Sequence, residues 1–291
     1  MADSQIDKGY CEGIETDHHK FRVVKNHLVQ FLVYLALFSA LVPLFSILYE
    51  VVVRGFSTIS IEFFIKPTPT VGEVGGGVAN AIQGTLITIG LASFIGVPIG
   101  LMSGIFLSEY GESKLSVAVR FFYDVLSGIP SIVIGVFAYA LITRSIGFSV
   151  IAAAFALAVM MIPIVARTTE EALKLVPMSI REAAIALGIP RWKTTVTVVL
   201  SGAKKAIVTG LLLSIARIAG ESAPVLVSMG FWRWWFAGLD RPVANLALNV
   251  FIFAMSPFEN WIALAWGSAL VLILLVLGIS VAARVLTRGR Y

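Results

Sequence analysis

Six apolar runs, each long enough to form a helix that crosses a lipid bilayer, constrain this chain more than any other feature of its sequence. About 20 apolar residues are needed for one crossing. The runs cover residues 27–53, 79–107, 123–143, 147–166, 206–230 and 260–283. Apolar residues make up 58% of the chain and charged residues 13%, whereas soluble domains carry about 25% charged residues. The sequence therefore predicts an all-α, polytopic membrane protein with six transmembrane helices.

The connections between the runs predict an orientation. The first run is too long for a signal-peptide core and no small-residue cleavage site follows it, so we interpret it as a retained span. If the N-terminal tail is cytoplasmic, sixteen Lys and Arg residues fall on the cytoplasmic side and five outside. Positive loops stay inside, so both termini are predicted to be cytoplasmic. The predicted parts are a tail (1–26), a first helix with an outer loop (27–78) and a membrane domain (79–291).

Two charged residues stand inside the fifth run. Arg217 and Glu221 are four residues apart, so one continuous helix would place them on one face. A charged side chain at that depth costs about 2.5–3.5 kcal/mol on insertion scales and faces a bundle interior or a wet cavity. Pro224 lacks an amide proton and clashes with the carbonyl of Gly220, so the helix is expected to bend or open there. Ser222 adds a hydroxyl to the same stretch.

These charges allow two interpretations. A structural ion pair that locks helices together would explain their burial without transport. A substrate pathway explains them as well, because ionisable residues at membrane depth tend to mark pathways. Arg offers a fixed fork of donors that can bind two oxygens of an anion at once. We favour the pathway, formed by Arg217, Glu221 and Ser222, with Arg217 guiding an anion and Glu221 neutralising Arg217 when no anion is present.

The most basic connection, residues 167–205, is predicted to carry a short helix on the cytoplasmic face. Ser179 and Glu182 have the spacing of a capping box. Ala183 and Ala184 favour a helix and leave room for another surface to approach. Gly188 suits the left-handed position after a helix, and a proline follows two residues later. Docking into a partner protein explains these small residues better than contact with lipid, since the helix lacks a wide apolar face.

Other features indicate packing or exclude functions. Gly96, Gly100 and Gly104 permit close helix–helix approach, and Pro130 near the start of the third run predicts a kink. No GxxxxGK[ST] phosphate-binding loop occurs, so the chain is not predicted to be an ATPase or any other enzyme. The lone cysteine excludes an internal disulfide, and the Asp17-His18-His19 cluster is interpreted as a solvated tail rather than a metal site.

Three motifs together resemble one family. Glu182-Ala183-Ala184 with Gly188 is similar to the "EAA" loop of ABC importer permeases, although Ser201 stands where that family has a proline. The stretches GIPSIVIG (residues 128–135) and RIAGESAP (residues 217–224) resemble motifs of phosphate-specific ABC permeases of the PstA type, which usually have Thr where Ser222 stands. The resemblance covers about residues 78–284.

The resemblance implies a type I ABC importer permease fold and a role as the membrane subunit of an ATP-driven phosphate importer. It further implies a second, related permease subunit, two copies of an ATPase that bind ATP and Mg²⁺, and an extracytoplasmic phosphate-binding protein. The segment from Glu182 to Gly188 would be the coupling helix, and this chain would hold no cofactor. Two alternatives are a permease for sulfate, molybdate or phosphonate, and a transporter driven by an ion gradient.

Overall fold

The computed structural model describes the backbone of residues 3–73 and 75–287, and the side chains of residues 21–73, 75–282, 284 and 285. The chain forms two units, Met1–Val53 and Arg54–Tyr291. Regular structure in the described residues is entirely helical, which confirms the all-α class. The side chains of the Asp17-His18-His19 cluster lie outside the described residues. Within those residues, no group of three or more His, Cys, Asp or Glu side chains could hold a metal ion.

Most of the helices follow one another with short connections, and two longer connections precede α3 and α12. In chain order they are α1 (Asp3–Thr58), α2 (Ile61–Ile65), α3 (Ala79–Glu109), α4 (Lys114–Gly128), α5 (Ser131–Ala138), α6 (Arg144–Ile146), α7 (Val150–Lys174), α8 (Met178–Ala186), α9 (Arg191–Thr194), α10 (Leu200–Ala219), α11 (Ala223–Met229), α12 (Leu246–Ala254) and α13 (Glu259–Thr287). Single π-helical turns join α5 to α6 (Tyr139–Thr143) and α9 to α10 (Thr195–Val199). In the described residues, five helices are long and apolar enough to cross a membrane, and a bent pair gives a sixth.

Helices α3 and α7 lie side by side in parallel along the glycine row. A Cβ atom added to Gly96 would lie 3.3 Å from the carbonyl oxygen of Ala158 on α7. One added to Gly104 would lie 2.5 Å from the carbonyl oxygen of Ala166, eight residues further along both helices. Gly100 faces Val165 between these two contacts. The small residues therefore let two helix backbones of the same chain approach each other closely.

Two predicted spans are not continuous helices. The third was expected to be one helix over 123–143 with a kink, but α4 and α5 are separate helices that meet at 103°. Pro130 sits at the N-cap of α5, and the residue before it is driven out of the helical conformation by the proline ring. The fifth was expected over 206–230, but α10 ends at Ala219 and α11 begins at Ala223. Arg217 and Glu221 therefore do not share one continuous helix face.

The predicted connections also differ from the structure. The first part of the loop at 167–205 is a direct extension of α7, which continues to Lys174. The predicted capping box is wrong, because Pro177 is the N-cap of α8 and Ser179 lies inside the helix. Pro177 has a fixed φ that suits this position, so the helix starts earlier than the Ser179 signal indicated. The connection between the fifth and sixth predicted runs, residues 231–259, contains the buried helix α12, in which Leu246 and Leu248 are fully enclosed.

Candidate functional site

The two interrupted spans meet each other. Gly135, in the middle of α5, lies against Pro224 near the start of α11: a Cβ atom added to Gly135 would lie 2.7 Å from Pro224 Cα and 3.0 Å from its carbonyl oxygen. Only a glycine permits this approach of two backbones. Beyond this contact, the hydroxyl of Thr143 donates a hydrogen bond to the carbonyl oxygen of Ser228 at 2.8 Å. The motifs GIPSIVIG and RIAGESAP, far apart in sequence, thus form one structural unit.

The break after α10 follows from its local sequence. The amide of Gly220 bonds to the carbonyl of Arg217 at 3.3 Å, and that of Glu221 bonds to the carbonyl of Ile218 at 3.2 Å. These tight turns end α10. Pro224 then occupies the first turn of α11, where its missing amide proton is not needed. The proline that was expected to open the helix therefore starts a new one, and residues 220–222 are left without regular helical bonding.

A cavity of about 200 Å³ lies between the two interruptions and α7. Three segments line it: the end of α4 and start of α5, the middle of α7, and the break after α10. The lining residues are Leu126, Ser127, Ile129, Ser131, Ile134, Met160, Ile164, Arg217 and Glu221. A water molecule occupies about 30 Å³ in the liquid, so the cavity has room for a small oxyanion together with part of its hydration water.

Arg217 and Glu221 are the charged residues of this lining. Arg217 is exposed and Glu221 is partly exposed, so neither is sealed in a dry helix contact. Within the described residues their side chains form no ion pair with each other. The expected neutralisation of Arg217 by Glu221 is therefore not seen as a direct contact, and the guanidinium remains available to an anion. Ser222 is not part of the lining; its carbonyl accepts the amide of Leu226 at 2.8 Å and so begins α11.

Part of the lining was missed by sequence reasoning. Ser127 and Ser131 flank the bend between α4 and α5, and both face the cavity. Ser131 belongs to the motif that was singled out, but Ser127 was passed over. The sequence signal that could have identified Ser127 is its hydroxyl directly before Gly-Ile-Pro in an apolar run. Its meaning was hidden because Pro130 predicts a kink but not the 103° bend that turns this segment toward Arg217.

The predicted coupling segment is a separate surface that follows the C-terminal end of α7. Glu182 and Ala183 are exposed on α8, whereas Ala184 is 6% exposed and packs inside the chain. Gly188 has φ of +80°, as expected for the left-handed residue after a helix. The amide of Ile189 bonds back to the carbonyl of Ala184 at 3.2 Å. The structure thus brings Glu182, Ala183 and Gly188 together on one exposed element.

Comparisons with known proteins agree with this architecture. Residues 96–288 match the family described as "Binding-protein-dependent transport system inner membrane component". The chain is 44% identical over 268 residues to the phosphate transport system permease protein PstA of Yersinia pestis, covering 91% of each protein. It is 38% identical to phosphate transport system permease protein PstA 1 of Mycobacterium tuberculosis strain H37Rv, over 90% of this chain and 87% of that protein.

Solved structures agree on the fold. The inward-facing MetNI methionine ABC transporter aligns with a TM-score of 0.60 at 20% identity, covering 74% of this chain and 95% of that chain. A bacterial alginate ABC transporter aligns with a TM-score of 0.65 at 14% identity, covering 90% and 96%. The type I importer permease fold is therefore confirmed. The chain belongs to the family of binding-protein-dependent transport system inner membrane components and, within it, to the PstA permeases.

Proposed function

We propose that this chain is the membrane permease subunit of an ATP-driven importer of inorganic phosphate. The presence of Arg217 and Glu221 in one cavity between two interrupted spans carries this proposal. The names of the PstA relatives support the choice of phosphate. The partners are a second, related permease, two copies of an ATPase that bind ATP and Mg²⁺, and an extracytoplasmic binding protein. This chain supplies half of the pathway and holds no cofactor.

The two charges of the cavity suit phosphate by different means. The Arg217 guanidinium supplies fixed positive charge and paired N–H donors for two oxyanion oxygens. The Glu221 carboxylate accepts hydrogen bonds only, so it favours an anion that carries a proton. Phosphate retains one or two protons at neutral pH, whereas sulfate retains none. Glu221 therefore repels sulfate more than phosphate, which Arg217 alone would not achieve.

The exposed surface of α8 and α9 suits the ATPase partner. Leu187, Trp192 and Met178 are 81%, 70% and 68% exposed, and Glu182 and Ala183 lie beside them. An exposed apolar surface of this kind marks an interaction site. Because Lys and Arg are concentrated on this side of the chain, we place α8 and both termini in the cytoplasm. Closure of the ATPase dimer then moves α8 relative to the spans.

The test is uptake of radiolabelled phosphate by the reconstituted transporter, with its ATPase and binding protein. We expect Arg217→Gln to lower uptake at least tenfold. Arg144→Gln is the matched control, because Arg144 is exposed near the end of the same broken span that carries Ser131 and should leave uptake unchanged. Glu221→Gln should weaken discrimination against sulfate.

Three results would contradict the proposal. Uptake of phosphate by Arg217→Gln equal to that by Arg144→Gln would remove Arg217 from the pathway. Stronger uptake of sulfate, molybdate or phosphonate than of phosphate by the wild type would assign another oxyanion. Uptake that persists without ATP would indicate a transporter driven by an ion gradient.

A further inference from the structure

We propose that Arg181 and Arg120 form a mechanical link through which the coupling helix α8 controls the α4–α5 bend at the cavity. The inference rests on the proposed function in that α8 is taken as the contact with the ATPase. It concerns residues that the resemblance does not assign, and it is carried by the contacts of two arginines at the same end of α3 and α7. Both would be positioning residues, since neither touches the cavity.

Arg181 attaches α8 to the ends of two spans. Its guanidinium forms an ion pair with Glu109, the last residue of α3. The same guanidinium donates to the carbonyl oxygen of Leu173, in the last turn of α7, at 2.8 Å. The side chain is 14% exposed. A planar guanidinium holds both partners in a fixed geometry, so a movement of α8 is passed to both helix ends.

Arg120 attaches α4 to the same two ends. Its Nη1 donates to the carbonyl of Gly111 at 2.8 Å, and its Nη2 donates to the carbonyl of Leu107 at 3.0 Å. Its Nε and the same Nη2 also donate to Oε1 of Glu170 on α7, at 3.0 and 2.7 Å. Lys174 reaches the same carboxylate oxygen at 2.5 Å. Glu170 is buried, so this carboxylate depends on its cationic partners.

A second ion pair extends this attachment toward the bend. Asp124, one turn beyond Arg120 on α4, pairs with Arg167 on α7. The two pairs align α4 with the last turns of α7, the inner one through the buried Glu170 and the outer one between side chains that are each 55% exposed. Two residues after Asp124 the cavity lining begins with Leu126 and Ser127. A series of paired contacts thus runs from the end of α7 to the wall that faces Arg217.

These contacts provide a continuous physical route from α8 to the cavity. Arg181 joins α8 to α3 and α7, Arg120 joins those helix ends to α4, and α4 ends at the 103° bend. The route consists of charge pairs and helix-end carbonyls and not of apolar packing. Such contacts have discrete geometries, so they can switch between arrangements while the helices remain intact. Coupling along such a route has to be shown by its effect on both ends.

The experiment separates ATP hydrolysis from its consequence at the cavity. The complete transporter is reconstituted with Arg181→Gln, and phosphate uptake and ATP hydrolysis are measured together. We expect uptake per ATP to fall at least fivefold while hydrolysis continues. Arg144→Gln is again the control, because Arg144 is an exposed arginine outside the α8–α9 surface and outside this chain of contacts, and it should leave the ratio unchanged. An equal ratio in the two variants would overturn the inference.

A distance measured between α4 and α10 tests the link without relying on phosphate uptake. Spin labels are placed at the exposed residues Val125 on α4 and Leu213 on α10, in a Cys11→Ser background. We expect ATP and Mg²⁺ to change their distance in the wild type and not in Arg181→Gln. If ATP changes the label distance in the wild type and not in Arg181→Gln, but the wild type imports another anion, the proposed function fails and the link stands. If the distance changes equally in both, the link fails whatever the substrate.

Two further variants test the same ion pair in case the Arg181→Gln chain does not assemble into the transporter. Glu109→Gln removes the same ion pair from the opposite side and should lower uptake per ATP in the same way. The exchanged pair Glu109→Arg with Arg181→Glu keeps one ion pair and should recover part of the ratio. Normal coupling in Glu109→Gln would overturn the inference.

Discussion

The contact between Gly135 and Pro224 makes a prediction that depends on tertiary structure alone. Substitution of Gly135 by Ala would place a methyl group 2.7 Å from Pro224 Cα. Normal contact begins near 3.4 Å, so α5 and α11 must separate by about 0.7 Å, the difference between these two distances. Overpacking of this kind costs about 1–3 kcal/mol. The Ala side chain returns about 1 kcal/mol through its higher helix propensity, so the net loss is about 0–2 kcal/mol.

The matched control is Gly90→Ala. Gly90 lies in the middle of α3, and nothing lies within 4 Å of an added Cβ atom, so this variant gains the propensity without the clash. The difference between the two variants in the free energy of unfolding is therefore the cost of the clash alone, about 1–3 kcal/mol. The free energies come from detergent-denaturation midpoints of the purified, assembled transporter.

We also expect Gly135→Ala to lower uptake, because Pro224 follows Glu221 in the cavity wall by three residues. Equal stability and equal uptake of the Gly135 and Gly90 variants would refute the close contact between the interrupted spans.

Three further substitutions test other parts of the structure. Gly188→Ala forces a φ of +80° on a residue with a Cβ atom, which costs about 1–2 kcal/mol; we expect less ATPase subunit to co-purify, and unchanged recovery would contradict the α8 geometry. Thr85→Val removes the hydroxyl that accepts the Leu246 amide at 2.8 Å, so stability should fall by about 1–3 kcal/mol, whereas the exposed Thr209→Val should have little effect. Hydrogen bonds from Thr70 lower the pKa of Glu73, so its stabilising contribution is present at neutral pH and is lost as the pH falls through that lowered pKa. The stability difference between wild type and Glu73→Gln, measured against pH, should therefore shrink on acidification, and a constant difference would be the contrary result.

The class of the protein could be predicted from its sequence because membrane insertion imposes a local rule. The bilayer core offers no hydrogen-bond partners to a backbone, so a long apolar run forms a helix whatever its neighbours are. The helix α13 (Glu259–Thr287) accordingly agrees with the predicted run 260–283. Gly188 likewise adopts the left-handed conformation that its position after α8 indicated. The turn chemistry at this residue needs no distant partner.

The capping prediction failed because a second local start signal was not weighed. Ser179 and Glu182 had the right spacing for a capping box, but Pro177 starts α8 two residues earlier. Two start signals competed within three residues, and the fixed φ of Pro177 decided between them. The extension of α7 to Lys174 has a tertiary cause instead, since its last turns are held by Arg120 and Arg181.

The sequence by itself determined that this chain crosses a membrane, that Arg217 and Glu221 are charged residues within an apolar run, and that Pro130 and Pro224 interrupt helices. Each of these follows from residues within a few positions of one another. Only the tertiary structure decided that the two interruptions meet, because Gly135 faces Pro224 across 89 positions of sequence. It also separated Arg217 from Glu221 at the end of α10 and placed Ser127 opposite them. The physical reason is that a cavity is made by surfaces from several helices, and their relative placement depends on packing that no local pattern records.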